Sequence, residues 1–263
     1  MNAKPSRQAS AAETDLSRMS FSDHIEELRG RIIKALIGIA LASGICLYFG
    51  DSILDFIRRP LAAALIEYGY PSDLRYLSPM EYFGTYVRVG LICGVMLASP
   101  WVFYQLWAFV AAGLYKHEKK WVLIFGPASL VLFAAGLACL YYVVLPLTLR
   151  FFLRFGQGMA MPTFTWSLYV SMVLSFALGF GIGFQTPLVV IFLAVSGLVP
   201  MSQLKGMRRF IIVGMLALAA ILTPPDWQSQ VLLAVPMLGL YELGLLVAQL
   251  MMRKQKMRIE DNE

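Results

Sequence analysis

The chain has 263 residues, 59% of them AVILMFWYC and only 14% DEKR, where a water-soluble domain is about half apolar and about a quarter charged. That surplus of apolar surface excludes an ordinary soluble domain and calls for lipid as solvent. The formal charge of +6 is spread over several loops, which excludes the single basic face with interleaved aromatics that nucleic acid requires.

Residues 1–20 are polar and contain no short apolar core ending in a small-residue cleavage site, so no cleavable signal peptide is expected there. They read as a flexible cytoplasmic tail, followed by a membrane domain over 21–252 and a second cytoplasmic tail over 253–263. Ser22 and Asp23 are helix-start residues, with Glu26 in the first turn. Phe21, Ile25, Leu28 and Ile32 then recur at helical spacing. The first helix is therefore expected to begin in the cytoplasm with this stripe packed and Glu27 on another face.

A spanning helix needs about 20 apolar residues, and the runs predict spans at 33–50, 89–111, 121–145, 169–196, 210–222 and 231–252. The fold class is all-α, a six-span membrane bundle. Segment 51–83 is too polar to cross and is broken by Pro60, Pro71 and Pro79; short helices on the outer surface are expected there. The fifth run, Phe210 to Leu222, is shorter than the hydrocarbon core demands and implies local thinning or snorkelling.

Charge sets the orientation. Segments 1–34, 113–120, 197–209 and 253–263 hold 16 Lys and Arg, and segments 51–88, 146–168 and 223–229 hold 6. The first set is therefore cytoplasmic, and an even number of spans places both termini there.

Chemistry is sparse. The sequence contains no GxxxxGK[ST], HExxH or GxSxG. His24 and His117 are its only histidines, and Cys46, Cys93 and Cys139 are isolated in apolar runs. No metal, cofactor or disulfide is expected, and energy must come from a partner or an ion gradient.

The remaining signals are polar residues in unusual places. Glu118 lies between spans two and three among Lys116, Lys119 and Lys120, where it is either a solvated charge or an acceptor for cationic side chains. Glu27 has Arg31 four residues on, so an i,i+4 pair is available; alternatively it faces a cytoplasmic groove with Glu118, where carboxylates suit the guanidinium fork. Gln185 in span four needs a partner, and Pro187 frees a backbone carbonyl one turn earlier. Glu242 falls near the middle of span six, where an ionisable group must face protein or water. Thr223-Pro224-Pro225-Asp226 reads as a turn, with Asp226 the N-cap of the next helix.

Taken together, these residues resemble the TatC family of the twin-arginine protein translocase. The resemblance rests on His24-Ile25-Glu26-Glu27-Leu28-Arg29, Arg59-Pro60-Leu61, Ser99-Pro100, Tyr104-Gln105-Leu106-Trp107-Ala108-Phe109 running into Leu114-Tyr115-Lys116-His117-Glu118, Leu222-Thr223-Pro224-Pro225-Asp226, Ser229-Gln230 and Pro236-Met237. In one order along six spans, they are highly specific.

The resemblance implies a glove-like bundle with short spans five and six in the bacterial inner membrane. It implies a receptor for twin-arginine signal peptides with folded cargo, binding through Glu27 and Glu118. Phe109 would support the loop, and His24, Leu28 and Arg29 would lie beside Glu27. It also implies TatA- and TatB-type single-span partners meeting the chain around Gln185, Thr223, Gln230 and Glu242, further copies of the chain itself, and transport driven by the proton-motive force. Where the family often carries a glutamate, this chain has Gln185, so a hydrogen-bonding role is expected there and a titrating one is not. The competing classes are a small-molecule transporter using Gln185 and Glu242 as a midplane site, and an intramembrane enzyme. The enzyme lacks a membrane-depth histidine.

Overall fold

The computed structural model describes residues 21–113, 119–156, 162–196, 199–222 and 227–260, which are helical almost throughout. The elements are α1 (Phe21–Tyr48), α2 (Gly50–Glu67), α3 (Pro79–Leu97), α4 (Ser99–Gly113), α5 (Lys119–Cys139), a π-helical turn (Leu140–Val144), α6 (Leu145–Gly156), α7 (Trp166–Gly183), α8 (Thr186–Val195), α9 (Met201–Gly206), α10 (Arg208–Leu222) and α11 (Trp227–Glu260). Extended pairing among the described residues is confined to one isolated bridge between Arg75 and Thr165.

Among the described residues, four stretches are long and apolar enough to cross a membrane: His24–Tyr48, Ile124–Gly156, Trp166–Val195 and Ala234–Met252. The pair α3–α4, bent by 49°, makes a fifth. The remaining apolar helix, α10, has 15 residues. At about 1.5 Å per residue it covers roughly 22 Å, short of the usual core of about 30 Å. This is consistent with six spans and a short fifth. The helices outrun the apolar runs: α1 starts at Phe21, the second span at Pro79, and α11 continues through 253–260. Apolarity marks lipid contact, whereas a helix persists wherever its own backbone bonds persist.

Prolines bend the spans where they remove a donor. Pro100 has no N–H for the Met96 carbonyl, next to the α3–α4 bend. Pro187 sits in the first turn of α8, just after the break at Phe184–Gln185. Between spans, where water-driven burial contributes little, small residues permit close packing. A Cβ on Gly94 would lie 2.5 Å from the Ser43 Cα, and one on Gly244 would lie 2.7 Å from the Pro187 Cα. These two positions bring α3 against α1 and α11 against α8. Arg88, a charge inside the second span, donates to the Ser171 hydroxyl on α7.

Short helices broken at Pro60 are expected after the first span; the segment forms instead one 18-residue helix, α2, that runs through Pro60. α2 buries one stripe, Leu54, Ile57, Leu61, Ala64 and Leu65. Pro60 lies inside it and leaves the Phe56 carbonyl without its helical donor. The Tyr141 hydroxyl donates to that oxygen at 3.1 Å, and Tyr169 donates to the Ile57 carbonyl at 2.8 Å. Pro60 thereby ties α2 to the π turn, and Tyr169 adds a bond to α7.

At the same end, Ser78 caps α3 by accepting from the Glu81 N–H at 3.2 Å. Glu81 accepts back from the Leu77 N–H at 2.7 Å and from the Ser167 N–H at 3.3 Å, so one carboxylate caps two helices.

Candidate functional site

The N-terminal turns of α1 run antiparallel to α4, and the two helices meet through a ladder of polar and aromatic side chains. On α4 the positions are Trp101, Gln105 and Phe109, four residues apart and hence on one face. Trp101 donates its indole N–H to the Lys34 carbonyl at 2.8 Å. Gln105, 3% exposed, accepts at Oε1 from the Arg31 guanidinium at 3.0 Å. Phe109 stacks on His24 with ring centroids 4.5 Å apart.

Glu27 lies beside this ladder. Its Oε1 accepts from Arg31 Nε at 2.7 Å, the i,i+4 pair available in the sequence. Arg31 therefore bridges an acidic and a neutral acceptor, and both members of the ion pair stay partly open to solvent. The arrangement is a carboxylate that already holds a guanidinium, next to a stacked ring pair. Chemically the arrangement can hold a cation: a planar guanidinium, that of Arg31, is bound by a carboxylate and an amide oxygen.

The first-helix stripe departs from expectation. Ile25, Leu28 and Ile32 are exposed, not packed. Packing is on the His24–Arg31 side because α4 offers buried Gln105 and half-buried Phe109 there, as partners for Arg31 and His24. Arg29 is also exposed.

A second node joins spans two, three and four. Trp107 donates to the Ser129 hydroxyl at 2.8 Å, and the Gln185 amide donates to the Ser129 carbonyl at 3.0 Å. Gln185 thus bonds a neighbouring helix, not the carbonyl freed by Pro187. Among the described residues nothing donates to its Oε1.

Glu242 is not an unpartnered charge at mid-membrane. Its Oε2 accepts from Arg208, the first residue of α10, at 2.7 Å. Both side chains are about half exposed. The short α10 places its leading arginine level with this part of α11. Just alongside, the Tyr241 hydroxyl donates to the Leu204 carbonyl at 2.5 Å.

The structure brings together His24, Glu27 and Phe109, and separately places Gln185 on the α8 side and Glu242 against α10. Gln230 is half-buried near the start of α11. Glu118, Thr223 and Asp226 lie outside the described residues. Sequence reading undervalued Arg31 and passed over Gln105, Trp107 and Ser129 as site members. An amide inside an apolar run, four residues before Phe109, was the available signal for Gln105.

The sequence model of the family described as Sec-independent protein translocase protein (TatC) matches residues 23–236. The chain belongs to the TatC family. It is 38% identical to the Sec-independent protein translocase protein TatC of Koribacter versatilis (strain Ellin345) over 253 residues, covering 96% of this chain and 93% of that one. Over 241 residues it is 35% identical to the TatC of Aquifex aeolicus (strain VF5), covering 90% and 98%. Its fold is similar to a crystal structure described as twin arginine translocase receptor TatC, with a TM-score of 0.79 and 35% identity over 86% of this chain and 98% of that one. TatC proteins are membrane translocase proteins and not enzymes, as the sequence led us to expect.

Proposed function

We propose that this chain is the receptor subunit of a twin-arginine translocase, and that it binds twin-arginine signal peptides at the face formed by α1 and α4. The observation that carries the reading is that Glu27 already holds a guanidinium, that of Arg31, on a platform made by buried Gln105 and the His24–Phe109 stack. A signal-peptide arginine would share Glu27 with Arg31 or displace it. Glu118 would take the second arginine, with Leu28 and Arg29 at the exposed rim.

TatA- and TatB-type single-span partners would meet the side bearing Gln185, Thr223, Gln230 and Glu242, and further copies of the chain would complete the assembly. Transport of folded cargo would draw on the proton-motive force. The protein would lie in the bacterial inner membrane with both termini cytoplasmic, following the excess of Lys and Arg in those segments.

The deciding experiment is photocrosslinking of membranes to a twin-arginine signal peptide and to its twin-lysine variant. The arginine peptide should crosslink to wild type and lose most of that signal with Glu27→Gln or Glu118→Ala. Equal crosslinking of both peptides, or undiminished signal with both variants, refutes the assignment. Orientation is tested after replacing Cys46, Cys93 and Cys139. Single cysteines at Ser72 and Gln157 should react with an impermeant thiol reagent from outside, and one at Gln255 should not.

A further inference from the structure

Under α2 an apolar cavity of about 260 Å³ opens between α2, α3, the π turn and α7. Its walls are almost wholly carbon and include Phe56 from α2, Cys93 from α3, Ala138 from α5, Tyr142 from the π turn and Ala177 from α7. Water has nothing to bond there, since a buried water needs about two to four polar partners. An apolar cavity of about 150 Å³ stays dry and accepts a benzene-sized guest, so this one has room for a longer apolar chain.

The mouth has a distinct chemistry. Phe56 stacks on Tyr141 with centroids 4.3 Å apart. Phe56 is also partly exposed, and Tyr142 is 73% exposed. Within a turn of Phe56 along α2, Asp55 pairs with Arg58 at 3.2 Å and with Arg59 at 3.3 Å. One carboxylate thus faces two guanidiniums, leaving a net positive charge. Arg59 is the more open, its side chain 68% exposed. Arg59 follows Phe56 by three residues on α2, so the two side chains lie on the same side of the helix. α2 itself buries one stripe and exposes the charged one, as a helix lying in a membrane interface does.

We propose that this is a phospholipid site: one acyl chain of an anionic phospholipid fills the cavity, and its phosphate binds Arg59. Guanidinium suits phosphate because its N–H groups bond two oxygens at once. Tyrosines at the mouth suit the headgroup level. The π turn contributes Leu140, Tyr141 and Tyr142 to the wall, and such turns are frequent at functional positions. The proposal requires only that the chain is embedded in lipid, and is independent of the peptide-binding reading.

Native mass spectrometry of the full-length protein in detergent, titrated with phosphatidylglycerol or phosphatidylethanolamine, tests it. One phosphatidylglycerol should be retained about fivefold more tightly, the factor expected from one basic residue at an anionic lipid surface. Arg59→Gln should lower its retention to that of phosphatidylethanolamine. Ala138→Phe, which plugs the cavity from its exposed rim, should abolish retention of both. Melting temperature in lipid-free detergent controls for folding, and Ala138→Leu replaces the larger plug if that variant is unstable. Equal retention of the two lipids by wild type overturns the headgroup assignment. Undiminished retention by a folded plug variant overturns the tail site, and with it the proposal.

Discussion

Two carboxylate–guanidinium pairs, each closed at 2.7 Å, show how differently the same contact works in two parts of the molecule. Glu27 and Arg31 are one turn apart on α1, and the arginine is held a second time by the buried Gln105. Glu242 and Arg208 are 34 residues apart, on different helices, and about half exposed. The first pair is pre-assembled by the helix itself and backed by a buried amide, so its geometry is fixed by the fold. The second links α10 to α11 and is weakened by solvent. An identical distance thus denotes an amide-backed pair within one helix in one place and a helix-to-helix link in the other.

The largest effect expected is on peptide binding. Glu27→Gln removes the charge from the acceptor, and a charged hydrogen bond is worth about 1.5–3 kcal/mol, or roughly ten- to hundredfold in affinity. Titrated crosslinking of a twin-arginine peptide should show this loss, whereas Glu242→Gln should leave binding unchanged. Equal losses from both would erase the distinction between the pairs.

Gln105→Leu is expected to lower stability by about 1–3 kcal/mol, because Arg31 loses a buried acceptor while its charge stays in place. Thermal unfolding in detergent measures this. A melting temperature equal to that of wild type would mean that Gln105 does not anchor Arg31.

Gln185→Leu removes an interhelical hydrogen bond of about 0.6–2 kcal/mol. A modest loss of thermal stability and weaker co-purification with TatA- and TatB-type partners are expected. Gln185→Glu should be tolerated, since a protonated carboxyl can donate to the Ser129 carbonyl in the amide's place. Normal partner recovery by folded Gln185→Leu would assign the residue to helix packing alone.

The smallest effect belongs to the exposed pair. A double-mutant cycle on Arg208 and Glu242 should return a coupling of about 0–1 kcal/mol, below that of the same cycle on Glu27 and Arg31. The reverse order would refute both grounds for the ranking, the lower exposure of the first pair and its backing amide.

Much of this was legible in the sequence because lipid imposes its demands locally. Each span must be long and apolar over its own residues, so the six apolar runs and the short fifth were readable without knowing what any helix touches. The excess of Lys and Arg on one set of loops likewise needs no contacts to be counted, and the Glu27–Arg31 pair follows from helical spacing alone. What required the tertiary structure were relations between distant residues. Arg31 reaches Gln105 across 74 positions, Gln185 reaches Ser129 across 56, and Arg208 reaches Glu242 across 34. The same holds for the Ile25, Leu28 and Ile32 stripe, which faces outward. In water, helical periodicity says which face is buried, because only the apolar face gains by leaving solvent. Here the polar and aromatic partners on α4, Gln105 for Arg31 and Phe109 for His24, decided which side of α1 turned inward.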